Sequence, residues 1–417
     1  MGLLNIEYVK PGMILAADLR TPLGRFFLPK GSAFTDESLR ACKMWGVAAA
    51  EIEGVSRMRI ERETLAAIAP EILSELKNRT RAHFAGCDTT HPAVRELARL
   101  HLVRHALRSL EAGSVPPLPP RPARPHPAAP GTSAVTPPSL AAIVQKGDQL
   151  FSLPAIFNKI VTVIRDPTSS ASFIAEVIGK DQNLSAKLLR LVNSSYYGYP
   201  ERVDSLSRAV LIVGSSRLTS LAVGILTMTL FRRVPRRLMD VTSFWSHGLA
   251  CGVVARLLAV RKGNMEDEPL FVAGLLHDMG RMAYVVQYPE LGTAALYEAM
   301  SRGQPGHAAE SEIWGFDHAV LGGAMLASWK FPPMLIQAVA RHHHPTQTED
   351  GVAAALVHVA DVIAHAMDHG GGQGFPVPPL SPAAFAAAGI APGDLSSIVI
   401  QAFSQLDDIT RIFLEES

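Results

Sequence analysis

The chain has 417 residues, which allows two or three domains and a sizeable core. Hydrophobic residues make up 48%, charged residues 18%, and the formal net charge is +1. This balance excludes a disordered chain, and no overall field draws in nucleic acid or an anionic membrane. A basic stripe with interleaved aromatics is also missing, with aromatic residues at only 6%, so nucleic-acid binding is not expected.

Cys42, Cys87 and Cys251 share no metal-type spacing, and their odd number builds no disulfide framework. A reducing, cytoplasmic compartment is the expectation. The start MGLLNIEYVKPG lacks the basic and apolar regions of a signal peptide. The apolar run Leu218 to Phe231 is short and contains Thr and Ser, so no membrane span is expected from it.

Residues 1–56 read as a small β-rich module. Pro11-Gly12 and Pro22-Leu23-Gly24 are turn signals between short apolar runs, Thr35 is a good helix N-cap, and Gly46 ends the helix that follows. Residues 57–112 form a helical segment, with apolar residues at helical spacing over Glu61 to Leu76 and Val94 to Leu110. His101 and His105 stand four apart there. No acidic residue joins them on that face and arginines crowd the helix, so an exposed amphipathic helix is expected. Residues 113–139 are a proline-rich linker of polyproline II character, with ten of the chain's 30 prolines between Val115 and Pro138. It is expected to separate two independently folding units and to be cut by protease, as is Gly370-Gly371-Gly372. Residues 140–368 run helix after helix with no period-2 strand between, and 369–417 form a helical tail that packs back on the bundle. The fold class is therefore mainly α: an all-α bundle behind a small β-rich module and a linker. Arg232, Arg233, Arg236 and Arg237, the densest basic patch, read as a solvated loop.

Within this bundle, Gly274 to Met282 sets His277-Asp278 inside an apolar run expected to be one buried helix, Leu270 to Val286. An imidazole and a carboxylate taken out of water need partners, and a metal ion satisfies both. His247 lies upstream in an apolar helix. His318 follows, then His342 and His343 at the end of a helix expected over Pro332 to His344, then Asp361 among Leu356, Val357, Val359, Val362 and Ile363. His358 and His365 flank Asp361 as candidate hydrogen-bonding partners. Mixed imidazole and carboxylate donors suit iron, manganese or zinc, as one or two ions.

The order His, His-Asp, His, His-His, Asp resembles the ligand order of HD phosphohydrolases in the expanded HD-GYP form. The segments LPAIFNKI, DQNLSAKLLRLVNSSYYG, SLSRAVLIVGSSRL, WGFDHAVLGGAMLASWKFP and AVARHHHP resemble, in order, those of the HDOD family of bacterial signalling output domains. The first module resembles the one that precedes some HD-GYP phosphodiesterase domains. The resemblance implies an HD-type helical bundle in which His247, His277, Asp278 and Asp361 are the basic metal ligands. His318, His342 and His343 are the added ones, and Asp278 bridges if two ions bind. Arg281 stands where active HD-GYP proteins carry a phosphate-binding lysine, and Ser243 where some carry a ligating glutamate. Gly198-Tyr199-Pro200 spells the GYP tripeptide, but before the doublet rather than after His343, and reads as turn chemistry. The expected function is a non-catalytic output or regulatory module with a protein or nucleotide partner. The alternative is a metal-dependent phosphohydrolase acting on a cyclic dinucleotide or another nucleotide, with Asp278 and Arg281 in the reaction.

Overall fold

The computed structural model describes the chain except for residues 1, 7–8, 22–25, 55–56, 116–136, 151–154, 166–169, 195, 200, 232–233, 235–238, 264, 346–350, 370–375 and 415–417. Most of the linker, the glycine run after Asp368, the four-arginine patch, Pro200 and the turn Pro22-Gly24 thus lie outside the described residues.

The first module contains β1 (Gly2–Asn5), β2 (Leu19–Arg20), β3 (Phe26–Leu28), α1 (Asp36–Met44) and β4 (Ala49–Ile52). β1 pairs antiparallel with β4, and β2 with β3. The Ser38 N–H donates to Thr35 Oγ1 at 3.1 Å and the Thr35 N–H to Ser38 Oγ at 2.8 Å, a reciprocal cap that starts α1. Ile6, Leu15, Phe34, Val47 and Ile52 give the module its own small core.

Next come α2 (Arg57–Ala66), α3 (Pro70–His83) and α4 (Pro92–Ala112). The single helix expected over Glu61 to Leu76 is broken, because Pro70 pushes Ala69 out of the helical region to ψ 137°. Phe84, Val94 and Leu97 are buried in one continuous core with the later helices, so α4 is part of the main bundle's packing.

The bundle continues with α5 (Leu140–Leu150), α6 (Ala155–Arg165), α7 (Ala171–Gly179), α8 (Gln182–Val192), α9 (Leu206–Val213) and α10 (Ser215–Leu230). Ser170, Asp181 and Ser205 cap α7, α8 and α9 by accepting backbone N–H groups from Phe173, Leu184 and Arg208. Gly198, at φ +59°, turns the chain after α8, and a Cβ there would meet the Trp45 carbonyl oxygen at 2.5 Å.

α11 (Val241–Lys262) and α12 (Asp267–Leu276) form the central antiparallel pair. Their backbones approach so closely that a Cβ on Gly274 would meet Gly252 Cα at 2.7 Å. Among the described residues α11 is long and apolar enough to cross a membrane, but most of it is buried inside the bundle. Then follow α13 (Met279–Gln287), α14 (Pro289–Arg302), α15 (Gly306–Trp314), α16 (His318–Ser328), α17 (Pro333–Ala340), α18 (Gly351–Ala366) and α19 (Pro382–Ala388). A 3-10 turn, Pro392–Asp394, leads into α20 (Leu395–Leu414).

α20 buries Leu395, Ile398, Val399 and Leu406 against the bundle. It also reaches the first module: Gln401 accepts from the Ala48 N–H at 3.3 Å and donates to the Gly46 carbonyl at 2.6 Å. The protein is mainly helical, with its strands confined to the small N-terminal module among the described residues.

Two local expectations are corrected. His277 and Asp278 do not lie inside a helix but in the break between α12 and α13. There the His277 ring N–H bonds back to the Gly274 carbonyl and Asp278 takes φ −94°, ψ 1°. α17 ends at Ala340, so His342 and His343 sit in the turn after it. Both changes free neighbouring side chains from the 100° helical step and let them face one site.

Candidate metal centre

The seven residues come from five places: α11 (His247), the α12–α13 break (His277, Asp278), the start of α16 (His318), the turn after α17 (His342, His343) and α18 (Asp361). The structure brings all seven together. His247 Nε2 lies 3.1 Å from Asp361 Oδ1 and 3.3 Å from His277 Nε2. His277 Nε2 lies 3.4 Å from Asp278 Oδ1, and the same oxygen is 2.8 Å from His318 Nε2. His343 Nε2 is 2.9 Å from His318 Nε2. His318, His342 and His343 form one ligand-like group, and His247, His277 and Asp278 another, each with donor atoms within 4.8 Å of one another. Asp278 stands between them.

Four of the five rings are anchored from behind. Nδ1–H donates to a carbonyl oxygen in three cases: His277 to Gly274 at 2.7 Å, His342 to Val339 at 2.8 Å, and His247 to His369. His318 Nδ1 bonds to Glu310 Oε2 at 2.5 Å. An imidazole with its proton on Nδ1 presents a lone pair at Nε2, and in all four that nitrogen faces the cluster. His342 Nε2 is buried with no hydrogen-bond partner at all. An orphaned buried lone pair at the centre of such a set fits a metal donor.

The electrostatics point the same way. Among the described residues in contact across the cluster, Asp278, Asp361 and Glu310 are buried carboxylates and Arg281 is the guanidinium that pairs with two of them, so negative charge is left in excess. Burial works against each charge, yet the neighbouring Arg281, His277 and His318 hold Asp278 well below the usual carboxylate range. Asp361 is likewise held well below it, against burial, by His365, His247 and His277. Burial and Arg281 disfavour a charge on His318, but Glu310 and Asp278 raise it to about 9. Burial also opposes charge on His277, and Asp278 outweighs it and pushes the ring well above its ordinary value. Burial and the adjacent rings push His342 and His343 well below. The raised proton affinity of His277 and His318 is the response of the cluster to its excess negative charge. A divalent ion would answer the same excess.

Three residues beyond the seven join the site: His365, which the sequence marks as a hydrogen-bonding candidate, and Glu310 and His307, which the sequence reading does not single out. Glu310, in α15, bonds both His318 and Arg281, the latter at 3.1 Å. His365 Nε2 lies 3.5 Å from Asp361 Oδ1 and groups with His247 and Asp361 as a possible donor. His307 stacks on His343 at 4.0 Å. The spacing of four on α18 made His365 legible; nothing in the sequence around Glu310 singles it out. His358, the other flanking residue, bonds the His342 carbonyl at 2.9 Å and accepts from the Ser381 N–H at 3.0 Å. Ser243 bonds the α11 cap Asp240.

Residues 150–345 match the family model of the HDOD domain. This stretch is an HDOD domain. The HDOD domain and the helices around it are similar to a proposed phosphohydrolase of known structure from Shewanella amazonensis SB2B. The two are 25% identical, with a TM-score of 0.54, over 66% of this chain and 98% of that one. A proposed signal transduction protein from Marinobacter aquaeolei VT8 shares the fold, with a TM-score of 0.53 at 17% identity over 66% of this chain and 65% of that one. An uncharacterized protein of Treponema pallidum (strain Nichols) is 28% identical over 213 residues, 49% of this chain. The match spans only 39% of that relative's length.

Proposed function

We propose that the chain is a signalling output module of HDOD type whose helical domain binds a divalent metal and passes a state to a protein or nucleotide partner without hydrolysis. The observation that carries the metal is the set of four rings, each anchored at Nδ1 and turned inward at Nε2 around uncompensated carboxylate charge. His247, His277, Asp278 and Asp361 would hold one ion, and His318, His342 and His343 a second beside Asp278. Iron, manganese and zinc all suit these donors. A bound ion would neutralise that charge and could polarise a phosphoryl oxygen.

What argues against hydrolysis is Arg281. Its guanidinium is committed to Asp278 Oδ2 at 2.6 Å and to Glu310 Oε1 at 3.1 Å, so it does not stand free to grip a substrate phosphate. The donor residues themselves are buried, His343 less so than the rest. The phosphohydrolase reading rests on the completeness of the cluster and on the 25% identity to the Shewanella protein.

Elemental analysis of the purified protein, with a His277→Ala control, tests the metal. Zinc added to metal-stripped protein in weak buffer should release protons, because metal ligation displaces those held at His277 and His318. Uptake without proton release would sink the charge argument. Turnover of a cyclic dinucleotide by the metal-loaded protein, abolished in Asp278→Ala, would overturn the non-catalytic reading.

A further inference from the structure

A second set of metal-ligating side chains lies outside the HDOD match, where α3 and α4 meet the end of α18. It joins His83, the last residue of α3, His101 of α4, and Asp368, two residues beyond α18. Their donor atoms lie within 4.8 Å of one another. We propose that His83, His101 and Asp368 bind a transition-metal ion of zinc type, which clamps the α3–α4 hairpin onto the helix that carries Asp361.

The construction repeats that of the first centre. His83 Nε2–H donates to the His365 carbonyl at 2.9 Å, which leaves Nδ1 as the donor. His101 Nδ1 is held by Thr80 Oγ1 at 3.0 Å, which leaves Nε2, and that nitrogen faces Asp368 Oδ1 at 3.2 Å. With one nitrogen of each ring hydrogen-bonded, the other is the one left to face an ion. The other carboxylate oxygen, Oδ2, is taken by His105 Nε2 at 2.9 Å and Arg104 Nη1 at 3.3 Å, so Oδ1 is the oxygen available to an ion. Arg104 also donates to the Met367 carbonyl at 2.7 Å.

His101 is buried. Asp368 holds φ +65°, a left-handed conformation that non-glycine residues rarely adopt. That backbone turns the carboxylate toward the two rings instead of outward. Two imidazoles and one carboxylate leave a coordination position open, as in zinc sites with three protein ligands. A cavity of about 630 Å³, lined by His101, Arg104, Met367, Phe403 and residues of the first module, adjoins the site.

The test uses full-length protein in which both ion positions of the first centre are removed by His277→Ala, Asp361→Asn, His318→Ala and His342→Ala. After chelation and dialysis, zinc is titrated and counted per chain, with far-UV circular dichroism as the check on folding. One bound zinc is expected to remain, and adding Asp368→Asn or His83→Gln should weaken it by at least tenfold. Both positions are only partly buried, so these variants should keep the helical spectrum. No zinc uptake in that folded background overturns the proposal. So does uptake that is unchanged by both added substitutions. The outcome is independent of whether the first centre binds metal, because that centre is absent from the background.

Discussion

At one end of the α11–α12 pair, Arg256 Nε lies 3.1 Å from Glu268 Oε1 and 3.3 Å from Asp267 Oδ2. Tyr196 and Tyr197 donate to Glu268 at 3.0 and 2.8 Å, Arg217 reaches Asp267 at 2.8 Å, and the Arg256 guanidinium stacks over Tyr196. At the other end stand His247, His277 and Asp278. The two clusters are nine residues apart on each helix, about 13 Å at the helical rise. Both are buried and polar, but two carboxylates meet two guanidiniums at the first, whereas the second keeps negative charge in excess. The lesson is that burial alone does not mark a binding site. A buried network whose charges close is structural, and one left open calls for protons or an ion.

The first cluster can be broken by removing its cation. Arg256→Met leaves Glu268 and Asp267 buried with little compensation and should cost about 3–5 kcal/mol in denaturant unfolding. A loss below about 1 kcal/mol would mean that Arg256 does not close the cluster. The second should respond to metal instead. Zinc at a hundredfold excess over its Kd should stabilise the chelated protein by about 2.7 kcal/mol, measured as the shift in the same unfolding curve. That shift should vanish in His277→Ala, while a folded Arg256→Met protein should keep it; the reverse pattern would exchange the roles of the two clusters.

The geometry of the open cluster can be sharpened through Gly280. A Cβ there would meet the His318 carbonyl oxygen at 2.1 Å, so α13 packs on the start of α16 with no room for a methyl. Gly280→Ala should cost about 1–3 kcal/mol and weaken metal binding by shifting His318. Unchanged zinc affinity would show that His318 is not a ligand. The smallest effect belongs to Arg217. Its side chain is 40% exposed, and Arg217→Ala should cost less than about 1 kcal/mol. A larger loss would mean that the closed cluster needs both guanidiniums.

The all-helical bundle and the convergence of the seven site residues were legible in the sequence for the same reason. Histidines and acids inside apolar helical patterns are anomalies, and the few anomalies have to meet one another. The break at His277 was not legible, because the apolar run continues through it and the bond to the Gly274 carbonyl leaves no mark on composition. Glu310 was hidden for the opposite reason, standing in a segment where a glutamate looks ordinary. The exposed helix expected around His101 was wrong on its face. The acid that pairs with that ring is Asp368, 267 residues away, and α4 is packed into the main core. Long-range partners of this kind carry no local pattern.

Gly198 draws one more consequence. Its turn follows directly on Tyr197, whose hydroxyl is bound to Glu268, and its missing side chain is the space in which the Trp45 backbone rests. The smallest wedge that protein chemistry offers, a single methyl, would therefore act on two things at once. It would prise Trp45 and the first module from their seat, and it would strain the left-handed turn that anchors the closed cluster. The seam between module and bundle is thus a keyed joint, cut to admit a hydrogen atom and nothing larger.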